Sequence, residues 1–448
     1  MNQQYKDKSN KSKPNVLMIM ADQLNRNWLG FNGNNIVKTP HLDKLAEESV
    51  NFINTACNCP LCAPSRASIA LSQYPYRTGV LDNSRNCPLS PKTYYEILRE
   101  YGYNVGLVGK LDLHKPEHYY GQEGMNPFLF KYGFSSGMET EGKMNAAMLS
   151  KEEPELREAG RFEEIKNIEM DNDSLVGPYQ NYLKQKGLLS QFVEDYKKRL
   201  YEKPVWYAKN SVLSSQDYHD SYIGQKAADY LHNVDPNNPW HLFVSFVGPH
   251  DPWDSPEEYY NWYKNIDFPE SLKLPSEGKP QWITERSRHQ SEGISSYDLQ
   301  EVKRNYAGMI SLIDAEIGRI ISALEETNSL QNTVIIFLAD HGEFVGDFGL
   351  FEKSAMYEAA LRVPLLISIP FYKNRGKNQD LVELVDLYPT ILDICNLSYD
   401  SDRIDGKSLI GILEGKTETT HKSYQYSEIY NSRMISDGRY KYIENYND

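Results

Sequence analysis

Residues 14–23 read Pro-Asn-Val-Leu-Met-Ile-Met-Ala-Asp-Gln, an apolar run from Val16 to Met20 with a polar pair, Asp22-Gln23, close behind it. Four further short runs have the same form: Val105–Val108, Leu242–Val247, Val334–Leu338 and Leu365–Ile369. They are rich in branched aliphatic residues and do not alternate with polar ones. That pattern predicts strands buried on both faces, in a largely parallel sheet covered by helices. Helix patterns lie between the runs. Thr39-Pro40 opens one, Ser90-Pro91 opens another that stops before Gly102, and Ile310, Ile313, Ile317, Ile320, Ile321 and Leu324 recur at helical spacing. The fold class is α/β, a large mixed, mostly parallel sheet between helices.

At 448 residues the chain can bury a large core, which excludes a peptide-sized or disulfide-stapled scaffold. Residues 14–398 read as one α/β domain. Within it, residues 117–220 are dense in Glu, Lys and Tyr without a strong strand run, and they predict a helical insertion over the rim of the sheet. From about residue 399 to 448 a short C-terminal β subdomain follows. There Ser423–Ile429 and Arg433–Ile443 alternate Tyr with apolar residues, and Asn431 and Gly438 supply turns of a small antiparallel sheet.

The net charge of −14 repels nucleic acid and anionic lipid, so neither is an expected partner, and an anionic substrate must meet a locally positive pocket. Five cysteines, three of them at 57, 59 and 62, are too few and too clustered for an extracellular disulfide framework. No apolar run reaches the length of a signal core or a membrane span. The reading is a soluble cytoplasmic protein, with homo-oligomerisation left open.

In open α/β sheets, ligands bind at the carboxyl ends of the strands. The first run ends in Asp22-Gln23, and the second continues as Gly109-Lys110-Leu111-Asp112-Leu113-His114. The third continues as Gly248-Pro249-His250-Asp251-Pro252, and the fourth as Ala339-Asp340-His341-Gly342-Glu343. One Asp after a strand commonly caps the next helix. Four such clusters, two led by a carboxylate and two supplying His or Lys, fit one cleft holding a cation and an anionic substrate. Asp22, Gln23, Asp340 and His341 form a mostly hard ligand set suited to Ca²⁺, Mg²⁺ or Mn²⁺, with Zn²⁺ not excluded.

A second motif runs Cys57-Asn58-Cys59-Pro60-Leu61-Cys62-Ala63-Pro64-Ser65-Arg66, followed by apolar helix-forming residues. Pro64 belongs in a first helical turn, which sets Cys62 at a helix N-terminus, where free N–H groups and the dipole favour an anion. The Cys spacing does not match the common zinc or iron–sulfur runs. Cys57, Cys59, Cys87 and Cys395 therefore read as small buried fillers.

In that Cys-x-Pro-x-Arg motif, and in the order of Asn15–Gln23, residues 39–46, Gly79–Asn83, Gly109-Lys110, Pro249-His250, Asp340–Glu343, Lys353 and Tyr357–Pro364, the sequence resembles the sulfatase family. The likeness spans residue 14 to the end. It implies an alkaline-phosphatase-like fold and a sulfuric ester hydrolase whose Cys62 is converted to formylglycine by a maturation enzyme. One divalent cation, with Ca²⁺ the leading choice, would be held by Asp22, Gln23, Asp340 and His341. Arg66 would position the nucleophile, and Lys110 and Lys353 would neutralise sulfate oxygens. His250, assisted by Lys353, would protonate the leaving oxygen, and His114 would take the proton that lets sulfate depart. The substrate would be a small-molecule or carbohydrate sulfate monoester.

Asp22-Gln23 and Asp340-His341 stand where many members have Asp-Asp and Asp-Asn. This resembles the branch of choline sulfatases and phosphonate monoester hydrolases, as does Asp82-Asn83, which makes Asn83 an anion contact. Asp112 occupies the usual place of the His that follows Lys110, and His114 comes two residues later. A phosphonate monoester or phosphodiester hydrolase is the alternative, and a non-catalytic protein that keeps the fold is the third. Elsewhere Arg362 should pair with Glu358, one turn earlier. His118, His219, His232, His241, His289 and His421 read as structural or exposed. Asp254 and the aromatics of the insertion are candidates for shaping the substrate pocket.

Overall fold

The computed structural model describes residues 13–445 except 119, 276 and 417–419; within 149–174 it describes only 153, 156, 159, 161 and 164. The five apolar runs form strands β1 (Asn15–Ala21), β4 (Asn104–Gly109), β6 (Trp240–Phe246), β7 (Thr333–Ala339) and β8 (Leu365–Ser368). Shorter strands β2 (Val50–Phe52), β5 (Ser136–Glu139) and β9 (Gly376–Asn378) complete an eight-stranded sheet in the order β5-β4-β6-β1-β7-β8-β2-β9. Only β8 runs against the others, because both of its neighbours pair with it antiparallel. The central strands β1, β6 and β7 are buried along their whole length. Each fully buried Val, Ile, Leu or Phe there contributes roughly 1.5–3 kcal/mol of apolar transfer.

Helices cover both faces. The 31-residue helix Ser296–Glu326 carries the predicted Ile/Leu stripe into the core and packs beside the helix His219–Asn233. A capping box fixes its start, Ser295 and Asp298 each bonding the other's backbone N–H. Pro40 opens the helix Pro40–Glu47 as read from Thr39-Pro40. The next prediction needs correction: that helix begins at Tyr94, not at Pro91. Thr93 accepts from the Glu96 amide and the Glu96 carboxylate accepts from Thr93 N, so the cap lies past the proline.

The segment 117–220 supplies helices Pro178–Gln185 and Leu189–Tyr201, but it also contributes the sheet's edge strand β5. Strands β3 (Thr55–Ala56) and β10 (Val382–Glu383) form a separate parallel pair. The C-terminal sheet has three antiparallel strands, β11 (Gln425–Ile429), β12 (Ser432–Ser436) and β13 (Lys441–Asn445). Lys422 docks it on the core through the buried carboxylates of Glu383 and Asp386. Among the described residues no helix is long and apolar enough to cross a membrane.

Candidate active site

Strand register assembles the site. Ala21 of β1 is paired with Ala339 of β7, so Asp22 and Asp340, each one residue further on, stand side by side and buried. Gly109 of β4 is paired with Ser245 of β6, and the next residue is Lys110. At Gly109, φ is +112° and a Cβ would stand 2.0 Å from the Ser245 carbonyl oxygen, so the close strand contact that aims Lys110 requires glycine. The chain turns sharply after Asp22, where Gln23 adopts φ +64°. That conformation is pinned from two sides. Gln23 N donates to Asp340 Oδ1 at 3.1 Å, and the Tyr306 hydroxyl donates to Gln23 O at 2.8 Å.

The helix Cys62–Leu71 points its first turn at these strand ends, and every residue in it is buried. Cys62 and Arg66 are four apart and therefore share a helix face. The Asn83 amide oxygen accepts from Ala63 N at 3.1 Å, capping a helix whose Leu61 has no capping side chain. Arg66 Nε lies 2.8 Å from Asp340 Oδ2, one terminal nitrogen 3.3 Å from Asp22 Oδ2, and the other donates to Lys110 O and Ser245 Oγ at 2.7 and 2.9 Å. The guanidinium thus bridges both carboxylates and the ends of β4 and β6. Lys110 Nζ contacts Asp22 Oδ2 and, at 3.1 Å, Asp112 Oδ2.

Cys62 Sγ is 3.7 Å from Asp22 Oδ1 and 3.2 Å from His341 Nε2. One donor atom from each of Asp22, Cys62, Asp340 and His341 lies within 4.8 Å of the others. His341 Nδ1 faces Gly342 O at 3.0 Å, which favours the tautomer that leaves an Nε2 lone pair on the cluster. Two carboxylates and that lone pair suit a divalent cation. The Gln23 amide lies alongside, but its groups are engaged: Oε1 accepts from Lys353 Nζ, and Nε2 donates to Asp251 Oδ1, at 3.1 Å, and to Glu343 Oε2.

The five cysteines are all free and buried, yet they divide electrostatically. Burial pushes the Cys57, Cys59, Cys87 and Cys395 thiols up. Burial and Asp22 push Cys62 up too, but Lys110 and Lys353 overrule them and hold it well below the usual thiol range. Asp22 likewise falls below the ordinary carboxylate range, because Lys110, His250 and Arg66 outweigh its burial.

The Lys353 ammonium reaches the site from beyond β7, its Nζ 2.5 Å from His250 Nε2. The other nitrogen of His250 faces Asp251, 2.8 Å from its carbonyl and 3.0 Å from its carboxylate. Burial and Lys353 drive protons off His250, but Asp251 and Cys62 outweigh them and raise it to about 9. His114 stands further back. Its Nε2 is 2.6 Å from Glu139 Oε2, its ring stacks on Phe128 at 4.5 Å, and among the described residues no contact joins it to Cys62. Burial lowers His114 and Glu139 reverses that, leaving it raised.

Asp112, Asp251 and Glu343 were quoted with the strand ends but were given no role. Glu343 is fully buried, holds Gln23, and is pushed to about 8 by burial against a bond from Val345 N. An acidic residue directly beside His250 and another three past Asp340 were the available signals. Tyr306 and Lys143 had none beyond residue type.

Fold and site together define a mixed α/β architecture in which the N-terminus of the Cys62 helix meets the carboxyl ends of β1 and β7. The sulfatase family model matches residues 14–397, and the chain belongs to the sulfatase family. An arylsulfatase of Clostridium perfringens (strain 13 / Type A) is 30% identical over 448 residues, covering 95% of this chain and 84% of its own length. A choline-sulfatase of Rhizobium meliloti (strain 1021) is 28% identical, covering 96% and 78%. In fold, the chain is similar to the phosphonate monoester hydrolase of Agrobacterium radiobacter, with a TM-score of 0.74 at 21% identity over 96% of this chain and 87% of that one.

Proposed function

We propose that this sulfatase-family chain hydrolyses a sulfate monoester of a small molecule or carbohydrate, with Cys62 converted to formylglycine and one divalent cation bound. The observation that carries the reading is the company of Cys62. Of five buried thiols, only this one lies among the donor atoms of Asp22, Asp340 and His341 and is drawn down by the lysines around it. When present, the cation supplies Lewis-acid stabilisation of a sulfate oxygen, and formylglycine supplies, as its hydrate, a hydroxyl nucleophile. Asp22, Asp340 and His341 would hold the cation, with Gln23 alongside.

The remaining roles belong to residues of this chain. Arg66 neutralises the two adjacent carboxylates and keeps the first helical turn aligned. Lys110 and Lys353 offer ammonium groups to the oxygens on which charge gathers. Asn83 holds the Cys62 helix at its anion-facing end. Lys353 Nζ, 2.5 Å from His250 Nε2, and His250 together supply the proton for the leaving oxygen. His114, kept proton-hungry by Glu139, is the base for the second half of the reaction.

Parallel rates on an aryl sulfate, a phosphonate monoester and a phosphodiester test the reading. The aryl sulfate should be the fastest of the three. A phosphonate preference of orders of magnitude would replace the sulfate ester as substrate, and no turnover by protein with verified formylglycine at position 62 would favour a binding role.

A further inference from the structure

The turn that carries His250 is fastened from beneath by a buried ammonium. Lys143 follows strand β5, and its side chain is 2% exposed. Its Nζ donates to His250 O at 2.9 Å and to Pro252 O at 2.6 Å, and it pairs with Asp254 Oδ1 at 2.6 Å. Three contacts of one ammonium thus fall on one five-residue stretch, 250–254. Asp254 is clamped in turn: the Tyr218 hydroxyl donates to Oδ1 at 2.8 Å and the Tyr196 hydroxyl to Oδ2 at 2.7 Å. Tyr196 belongs to the helix Leu189–Tyr201, so the chain of contacts runs from the insertion through Asp254 and Lys143 to the backbone of His250.

From this we infer that Lys143, with Asp254 behind it, is a positioning residue that sets the His250 imidazole against the leaving oxygen. The inference rests on the reading of His250 as leaving-group acid. An unpaired carbonyl or carboxylate costs dearly in a buried site, so the turn has little freedom while the ammonium is in place. Among the described residues no contact joins Lys143 to Cys62 or to the Asp22, Asp340 and His341 cluster, and its loss should act on proton donation and leave the attack on sulfur unchanged.

The test uses the full chain with verified formylglycine and a series of aryl sulfates of rising leaving-group pKa. General-acid donation matters most for the poorest leaving groups. Lys143→Met should lose under about 3-fold in kcat on the best leaving group and about 10²-fold on the poorest, with KM little changed. Tyr196→Phe, which deletes one hydroxyl and spares the fold, should show the same tilt more weakly. In a His250→Ala background the tilt from either change should vanish, since both act through that ring. Equal losses across the series would overturn the inference while leaving the sulfatase reading standing. A normal protein that cleaves no member of the series would overturn both.

Discussion

The sulfur of Cys62 lies 3.2 Å from Nε2 of His341. The other ring nitrogen faces the Gly342 carbonyl, so the imidazole presents a lone pair toward the Cys62 sulfur. The proposed nucleophile and a proposed metal ligand would therefore share one space, and residues 279 apart in sequence stand in contact.

Cys62→Ala should end turnover, by more than about 10³-fold, because the proposed reaction gives the attack to residue 62 alone. A Cβ still fills most of the helix turn, so stability should change by about 1 kcal/mol or less. Thermal unfolding read beside the activity assay separates the two. Residual activity within tenfold of wild type would remove Cys62 from the mechanism.

Asp340→Asn keeps the shape but removes a charge that Arg66 uses and that the proposed cation would use. Calcium affinity by titration calorimetry should fall about 10- to 100-fold or more, and activity should fall with it. In the unmutated protein a chelator should suppress activity and added cation restore it. Unchanged calcium affinity in the variant would move the metal elsewhere.

The His250 proton sets a limb of the pH profile. Its folded value is raised to about 9, so the ring is charged below that pH and discharged above it. Conversion of Cys62 removes one of the groups that raise His250, so in the active enzyme kcat on a poor leaving group should fall as pH rises through a limb below about 9, and His250→Asn should flatten this limb. The stability linkage has the same sign. His250's contribution is complete below the ordinary imidazole value of about 6.5 and fades as pH climbs toward 9.

Lys422 links the C-terminal sheet to the buried carboxylates of Glu383 and Asp386. Lys422→Met should cost roughly 3–5 kcal/mol in a urea titration, because it strands buried negative charge. Adding Asp386→Asn should recover part of that loss. A loss below about 1 kcal/mol would show that the sheet is held by other contacts.

The central strands were legible because strands buried on both faces leave unbroken apolar runs, and all five runs became strands of the main sheet. Strands β2, β5 and β9 were not legible. They are short, lie toward the sheet edges and contain Asn51, Ser136, Gly137 and Gly376, so no periodicity marks them. Thr93 and Glu96 carried a readable capping box that outweighs the nearby Ser90-Pro91 signal. The polar residues after four strands drew attention to the cleft, since topology fixes where strand ends meet. Their pairing was beyond reach: Gln23 meets Asp251 and Glu343 across 228 and 320 residues, and no local rule spans that separation. Lys143 was invisible for the same reason, and Asp254 was noticed only as a candidate pocket residue.

Cys62 opens a helix whose ten residues are all buried. Pro60 just before it is tied to Ser354, and Asn58 to the C-terminal sheet through Glu428 N. If Cys62 is converted as proposed, a converting enzyme would have to reach a thiol that the folded chain encloses on every side. On that reading oxidation would come before closure, and a chain that folded first would keep an ordinary cysteine sealed inside.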